Sequence, residues 1–157
     1  MRSVRNSSIA GLLVALSTTG CSPAAAPAAA AITEAEVSAF MRDYATDLRA
    51  RNREAVIARY DSAGVYVLGE GNKMFLPKDA LAAGYRAGWK GPDFFEWSNL
   101  SYEPAGPSSM VVAGQFRWVD LGGKDTLRFS YTSLVRKTSA GLRIRLEDES
   151  PAPSAAH

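Results

Sequence analysis

Between residues 114 and 150 the chain reads "GQFRWVDLGGKDTLRFSYTSLVRKTSAGLRIRLEDES", three runs in which apolar and polar side chains alternate, separated by two turn signals. Alternation with a period of two is the mark of a strand buried on one face. This part of the chain is therefore constrained to an antiparallel meander. With Gly122-Gly123 as a two-residue hairpin turn, Leu121 lies opposite Lys124, and the pairing carries Trp118 to Leu127, Phe116 to Phe129, Gly114 to Tyr131 and Val112 to Ser133. A second turn at Ser139-Ala140 places Val135 opposite Ile144, Ser133 opposite Leu146 and Tyr131 opposite Asp148. Both turns assign one inner face. In the last strand that face is Leu142, Ile144, Leu146 and Asp148, while Arg143, Arg145, Glu147 and Glu149 alternate outward. On the outer face Arg117 meets Arg128, a repulsive pair unless acids flank it.

Upstream of residue 94 the period changes to that of helices. Thr33 followed three residues later by Glu36 is a capping box, with Ile32 and Val37 at the two positions of a hydrophobic staple. From there Val37, Phe40, Met41, Tyr44 and Leu48 recur on one stripe, which turns Tyr44 inward. "NREAVIARY" predicts a second, short helix capped by Asn52, and "DSAG" ends it before the strand-like "VYVLGEG". A third helix fits "PKDALAAGYRAGWKGP", with Pro77 in the first turn, Leu81, Tyr85 and Trp89 on one face, and Gly91-Pro92 as the stop. Gly69 and Gly71 suit a turn; no "GK[ST]" follows to make a phosphate loop.

The chain begins differently. Arg2 and Arg5 precede the apolar run "IAGLLVAL", far below the roughly 20 residues of a membrane-spanning helix, and the pattern is that of an export signal. The single cysteine, Cys21, ends "STTGC", which resembles the lipobox of bacterial lipoproteins, where the cysteine is acylated and becomes the mature N-terminus. The alternative is an ordinary secretory signal cut within "SPAAAPAAAA", which removes Cys21. Both place the mature protein outside the cytoplasm, anchored to a membrane by lipid in the first case. The expected organisation is a signal over 1–21, an alanine-proline tether over 22–31, one domain over 32–150 and a loose tail over 151–157.

Charge narrows the partners. The chain has 18 basic and 16 acidic residues, and loss of Arg2 and Arg5 with the signal leaves 16 of each. The mature chain is formally neutral, binding of nucleic acid needs a basic face for the phosphates, and the best local run, "RARNR" at 49–53, is balanced by Asp43, Asp47 and Glu54, so nucleic acid is not an expected partner. His157, the one histidine, ends the tail, and the domain holds no cysteine, so neither a transition-metal site nor a cofactor is expected.

Two helices, a strand, a third helix and long antiparallel strands ending in "YTSLVRKTSAGLRIRLEDES" resemble the nuclear-transport-factor-2-like superfamily, especially its small SnoaL-like members, over about residues 32–150. The resemblance implies an α+β fold, a curved antiparallel sheet wrapped around the N-terminal helices as a cone with a pocket at its open end. Many members have tryptophan where this chain has Leu142, and histidine near the position of Asp148, so histidine chemistry is not implied here. Such cones serve as isomerases, cyclases, dehydratases, ligand binders and dimerisation modules.

Within this frame the residues suited to chemistry form the row Gly114, Tyr131, Asp148, with Ser133 one step along. Glycine leaves room for a ligand, tyrosine donates to a carbonyl, and a desolvated aspartate serves as base, as in ketosteroid-isomerase-like proton transfer. Tyr44 and Trp89, each on a helix stripe facing the sheet, are the expected pocket aromatics. Three functions follow: binding of a small apolar or carbonyl-bearing molecule, which is the first reading; proton transfer by Asp148 and Tyr131; or a filled cone that pairs with a second copy into a homodimer. In a purely structural reading Asp148 is solvated where the strand leaves the core, and Tyr131 is a core aromatic.

Overall fold

The computed structural model describes residues 31–69 and 71–151. The signal, Cys21 and most of the tether lie outside the described residues, as does the tail beyond Pro151. Among the described residues no helix is long and apolar enough to cross a membrane.

Three helices, α1 (Glu34–Arg49), α2 (Arg53–Ala58) and α3 (Lys78–Gly88), are set against six strands: β1 (Val65–Gly69), β2 (Asn72–Leu76), β3 (Pro92–Pro104), β4 (Ser109–Asp120), β5 (Leu127–Thr138) and β6 (Gly141–Pro151). The sheet order is β2-β1-β6-β5-β4-β3, antiparallel throughout except where β1 runs parallel to β6. The sheet curves without closing, and the helices fill its concave side. This is the expected α+β cone.

Local rules set the helix ends. The Thr33 hydroxyl accepts from the Glu36 amide at 3.3 Å while the Thr33 amide donates to Glu36 Oε2 at 2.8 Å, completing the capping box. Ile32 and Val37 are both buried. Val37, Phe40, Met41, Tyr44 and Leu48 are the buried stripe, and the Trp97 indole donates to the Met41 carbonyl at 3.1 Å, fixing α1 on β3. Asn52 caps α2, and Pro77 precedes the first turn of α3. β2 is an element the sequence reading missed, because "NKMFL" is too short and too exposed to show alternation.

The register of β4 on β5 is the one the alternation implies: Trp118–Leu127, Phe116–Phe129, Gly114–Tyr131 and Val112–Ser133. The connection itself is longer than two residues, since β4 ends at Asp120 and β5 begins at Leu127. Gly122 adopts a left-handed φ of 74° there and donates its N–H to Asp93 Oδ2 at 2.6 Å. Arg117 does face Arg128, and the Glu96 carboxylate on β3 pairs with Arg117, supplying the flanking acid that removes the conflict.

The β5–β6 hairpin begins as expected, with Thr138 opposite Gly141 and Val135 opposite Ile144, and then departs. A bulge leaves Arg145 without a partner, so Leu134 pairs with Leu146, Ser133 with Glu147, Thr132 with Asp148 and Tyr131 with Glu149. One inserted residue in a structure of period two exchanges the faces. Beyond Arg145 the inner face carries Glu147 and Glu149, not Leu146 and Asp148. The bulge sits where β6 changes partners. Ile144 N–H donates to the Arg59 carbonyl at 2.8 Å and Asp61 N–H to the Ile144 carbonyl at 2.9 Å, and from Leu146 onward β6 lies beside β1. The Arg145 guanidinium bridges the step, donating to the carbonyls of Ala63 at 2.9 Å and Gly64 at 2.6 Å.

Candidate functional site

The concave face of the sheet can be followed row by row. Met110, Val135 and Ile144 close the deep end, then come Val112, Ser133 and Glu147, then Gly114, Tyr131 and Glu149, and finally Phe116 and Phe129 toward the open end. Over these rows lie Tyr44 of α1, Tyr60 after α2 and Tyr85 of α3, which meet at their hydroxyls. Tyr60 lies 3.0 Å from the Tyr44 hydroxyl and 2.9 Å from that of Tyr85, and it donates to Glu147 Oε1 at 2.9 Å. A phenol has one proton to give. Since that of Tyr60 goes to Glu147, Tyr44 and Tyr85 both donate to Tyr60.

This cluster is the polar centre of an otherwise apolar core. Glu147 is 5% exposed, and its second oxygen has no partner among the described residues; neither do the hydroxyls of Tyr131 and Ser133. Burial is the main cause that pushes the Glu147 carboxyl well above the ordinary range, the neighbouring Glu149 charge adds to it, and the Tyr60 hydrogen bond partly offsets it. Burial also raises the phenols of Tyr44, Tyr60, Tyr85 and Tyr131. The Ser133 hydroxyl is near enough to Tyr131 to ease that rise without meeting hydrogen-bond geometry.

Two cavities open above the cluster. One of about 280 Å³ is walled by Tyr44, Tyr85, Trp89, Phe95, Phe116, Trp118 and Phe129, with Asp120 and Glu149 as its acids. A second of about 510 Å³, between α3 and β1, is bounded by Val67, Leu76, Leu81, Gly84, Tyr85, Trp89, Glu147 and Glu149. Tyr85, Trp89 and Glu149 border both, the two rings 5.5 Å apart. Glu149 is exposed at the edge of this open space. Partial desolvation of its carboxyl, and next the Asp148 charge, push it up to about 7.

The residues singled out in the sequence separate into three groups. Tyr44 and Trp89 stand on the wall of the smaller cavity. Tyr131 and Ser133 are on the inner face but sealed, at 1% and 0% exposure, with the Trp97 ring 4.6 Å from that of Tyr131. Gly114 does not leave a gap: a Cβ there would lie 2.7 Å from Leu100 Cδ2, so a β3 side chain occupies the space expected for a ligand. Asp148 is placed differently from the expectation. It pairs with Thr132 on the opposite face from Tyr131 and accepts from the Ser150 hydroxyl at 2.7 Å, and it borders neither cavity. The physical reason is the Arg145 bulge.

Glu147 and Glu149 are the site residues that sequence reasoning missed. The unbroken pattern Leu-Arg-Ile-Arg-Leu conceals an inserted residue, because Arg145 has the polarity that regular alternation demands. The available signal was the pair of glutamates flanking Asp148, which one slip turns inward together.

No family model matches the chain, and no curated protein does. Solved structures do. An NTF2-like protein of unknown function from Pseudomonas putida KT2440 superposes with a TM-score of 0.65 at 17% identity, over 78% of this chain and 88% of its own. One from Shewanella oneidensis MR-1 gives 0.64 at 15%, over 74% and 97%. A ketosteroid isomerase-like protein from Erwinia carotovora atroseptica SCRI1043 gives 0.60 at 21%, over 78% and 100%. The chain has the nuclear-transport-factor-2-like fold.

Burial of Glu147 has a consequence for stability. Its folded pKa is raised, so the unfolded chain releases this proton first, and stability declines as pH rises above the ordinary carboxyl range toward the folded value. Glu149 adds to the decline up to about pH 7. Glu147→Gln removes the larger contributor. Urea unfolding at pH 5 and pH 8 should show the variant gaining on the wild type at pH 8; an unchanged difference between the two would mean that Glu147 is not held neutral by burial.

Proposed function

We propose that this protein binds a small, largely apolar molecule at the open end of its cone. The observation that carries the reading is the pair of cavities, one walled by aromatic rings and the other mainly by aliphatic side chains, that meet at Glu149 beside a buried carboxyl with an unpaired oxygen. Ligand pockets are typically of roughly 300–1,000 Å³, mostly apolar, with a few convergent polar groups. Filled cones would leave no such space, so the homodimer module is the weaker reading. Proton transfer is a second reading, favoured by one observation: a carboxyl pushed up to about 7 at the cavity wall suits a group that takes and returns a proton near neutral pH. Its base would be Glu149, since Asp148 faces away. The fold neighbour named ketosteroid isomerase-like is in keeping with such chemistry. The two readings part at turnover, because binding alone returns the ligand unchanged.

Export with a lipid anchor at Cys21 belongs to the same proposal and is supported by the "STTGC" motif after a basic and apolar run. An anchor would hold the cone at a membrane surface by the tether over residues 22–31.

Gly84 offers a direct test of the cavity. It lies in the interior of α3 and borders the larger cavity, and a Cβ there meets nothing within 4 Å. Gly84→Leu should raise helix stability by about 0.5–1 kcal/mol, while the leucine side chain fills the space. The neutral fluorophore N-phenyl-1-naphthylamine should bind the wild type, and the variant about tenfold more weakly, a loss of ~1.4 kcal/mol. Absence of binding to the wild type would contradict the reading. For the anchor, the full chain expressed in a bacterium should incorporate a palmitate analogue and partition into detergent, both abolished by Cys21→Ala; soluble wild-type protein beginning beyond Cys21 would contradict it.

A further inference from the structure

The walls of the two cavities have a one-sided chemistry. Their charged residues among those described are Asp120, Glu147 and Glu149, all acids, and no lysine or arginine borders either space. The basic groups of α2 and α3 are engaged elsewhere. Arg53 donates to the carbonyls of Arg86 and Trp89 at 3.2 and 2.9 Å, Arg86 pairs with Glu54 at 2.7 Å, and Lys78 donates to the carbonyls of Ile57 and Tyr60.

Donors are short as well. Tyr44 and Tyr85 spend their protons on Tyr60, and the Trp118 indole donates to Asp120 at 2.7 Å. A ligand carbonyl or carboxylate would find few hydrogens to accept. A ligand that brings hydrogens and positive charge finds the opposite: the Glu149 carboxylate, beside a 95% buried Glu147 whose second oxygen has no partner, and the faces of Trp89, Trp118, Tyr44 and Tyr85, whose quadrupoles attract cations.

We propose that the molecule taken by the cavity carries a protonated amine, its nitrogen held at the Glu149 carboxylate and its apolar part among the aromatic rings. The inference rests on the binding reading above and adds the ligand's class.

Three probes separate it from that reading: 4-phenylbutylamine, its neutral counterpart 4-phenylbutan-1-ol, and N-phenyl-1-naphthylamine, each titrated calorimetrically into the full-length chain. At pH 8 the amine should bind about tenfold more tightly than the alcohol. The groups around Glu149 are Glu147 on β6, Tyr131 on β5, Asp120 at the end of β4, Tyr44 on α1, Tyr60 after α2 and Tyr85 on α3, with the Asp148 charge acting from the opposite face of β6; burial keeps these tyrosines protonated. The preference should therefore follow the carboxyls and fade between pH 8 and pH 5, as Glu149 gains its proton. Glu149→Gln should erase it at pH 8, bringing the affinity of the amine down to that of the alcohol. An alcohol that binds as well as the amine at pH 8, or a preference indifferent to both pH and Glu149→Gln, overturns the inference and leaves the binding reading in place. Failure of all three probes overturns both.

Discussion

Arg145 holds the step on which the interior of this protein depends. Its guanidinium donates to the carbonyls of Ala63 and Gly64 and lies 5.3 Å from the Tyr66 ring and 5.5 Å from the Phe75 ring. These contacts belong to the chain entering and pairing with β1, so the residue left over on β6 is anchored to the strand that joins β6 just beyond it. Charge-assisted bonds to carbonyls and stacking on aromatic faces suit arginine better than lysine. The bulge exchanges the faces of the last six residues of β6, from Leu146 to Pro151, and with them the character of the cone's interior. Regular pairing would have set Leu146 and Asp148 inward; the bulged strand sets Glu147 and Glu149 there.

Burying Glu147 beneath aromatic side chains is costly unless its oxygens find partners or its proton stays on. The protein does part of each. Tyr60 supplies one hydrogen bond, and Tyr44 and Tyr85 hold Tyr60 from α1 and α3, so a polar hub ties all three helical segments to β6. The second oxygen is left without a partner. A core selected for stability alone would have an apolar side chain at that position, and the retained carboxyl beside open cavities is the feature that sets this interior apart from ordinary packing.

Much of the fold was legible because it rests on local rules. The Thr33–Glu36 box, the α1 stripe, the Asn52 cap and the β4–β5 register all follow from side chains close in sequence or from a turn that fixes its own strands. The candidate site was legible where it rests on the same rules, as Tyr44 and Trp89 do. It was not where the deciding contact joins distant segments: the capture of Arg145 by Ala63 and Gly64 spans some eighty residues, and no periodicity within "GLRIRLEDES" records it. Leu100 filling the space beside Gly114 is a second such case, made by the irregular pairing of β3 between Ser98 and Ser101.

The central claim is the register of β5 on β6 beyond the bulge, and inter-strand nuclear Overhauser effects read it directly. The account predicts cross-strand contacts joining Leu134 to Leu146, Ser133 to Glu147 and Tyr131 to Glu149, with Val135 still joined to Ile144. Contacts joining Ser133 to Leu146 and Tyr131 to Asp148 would mean that no residue is inserted at Arg145, that the glutamates face solvent, and that the acidic wall of the cavity does not exist.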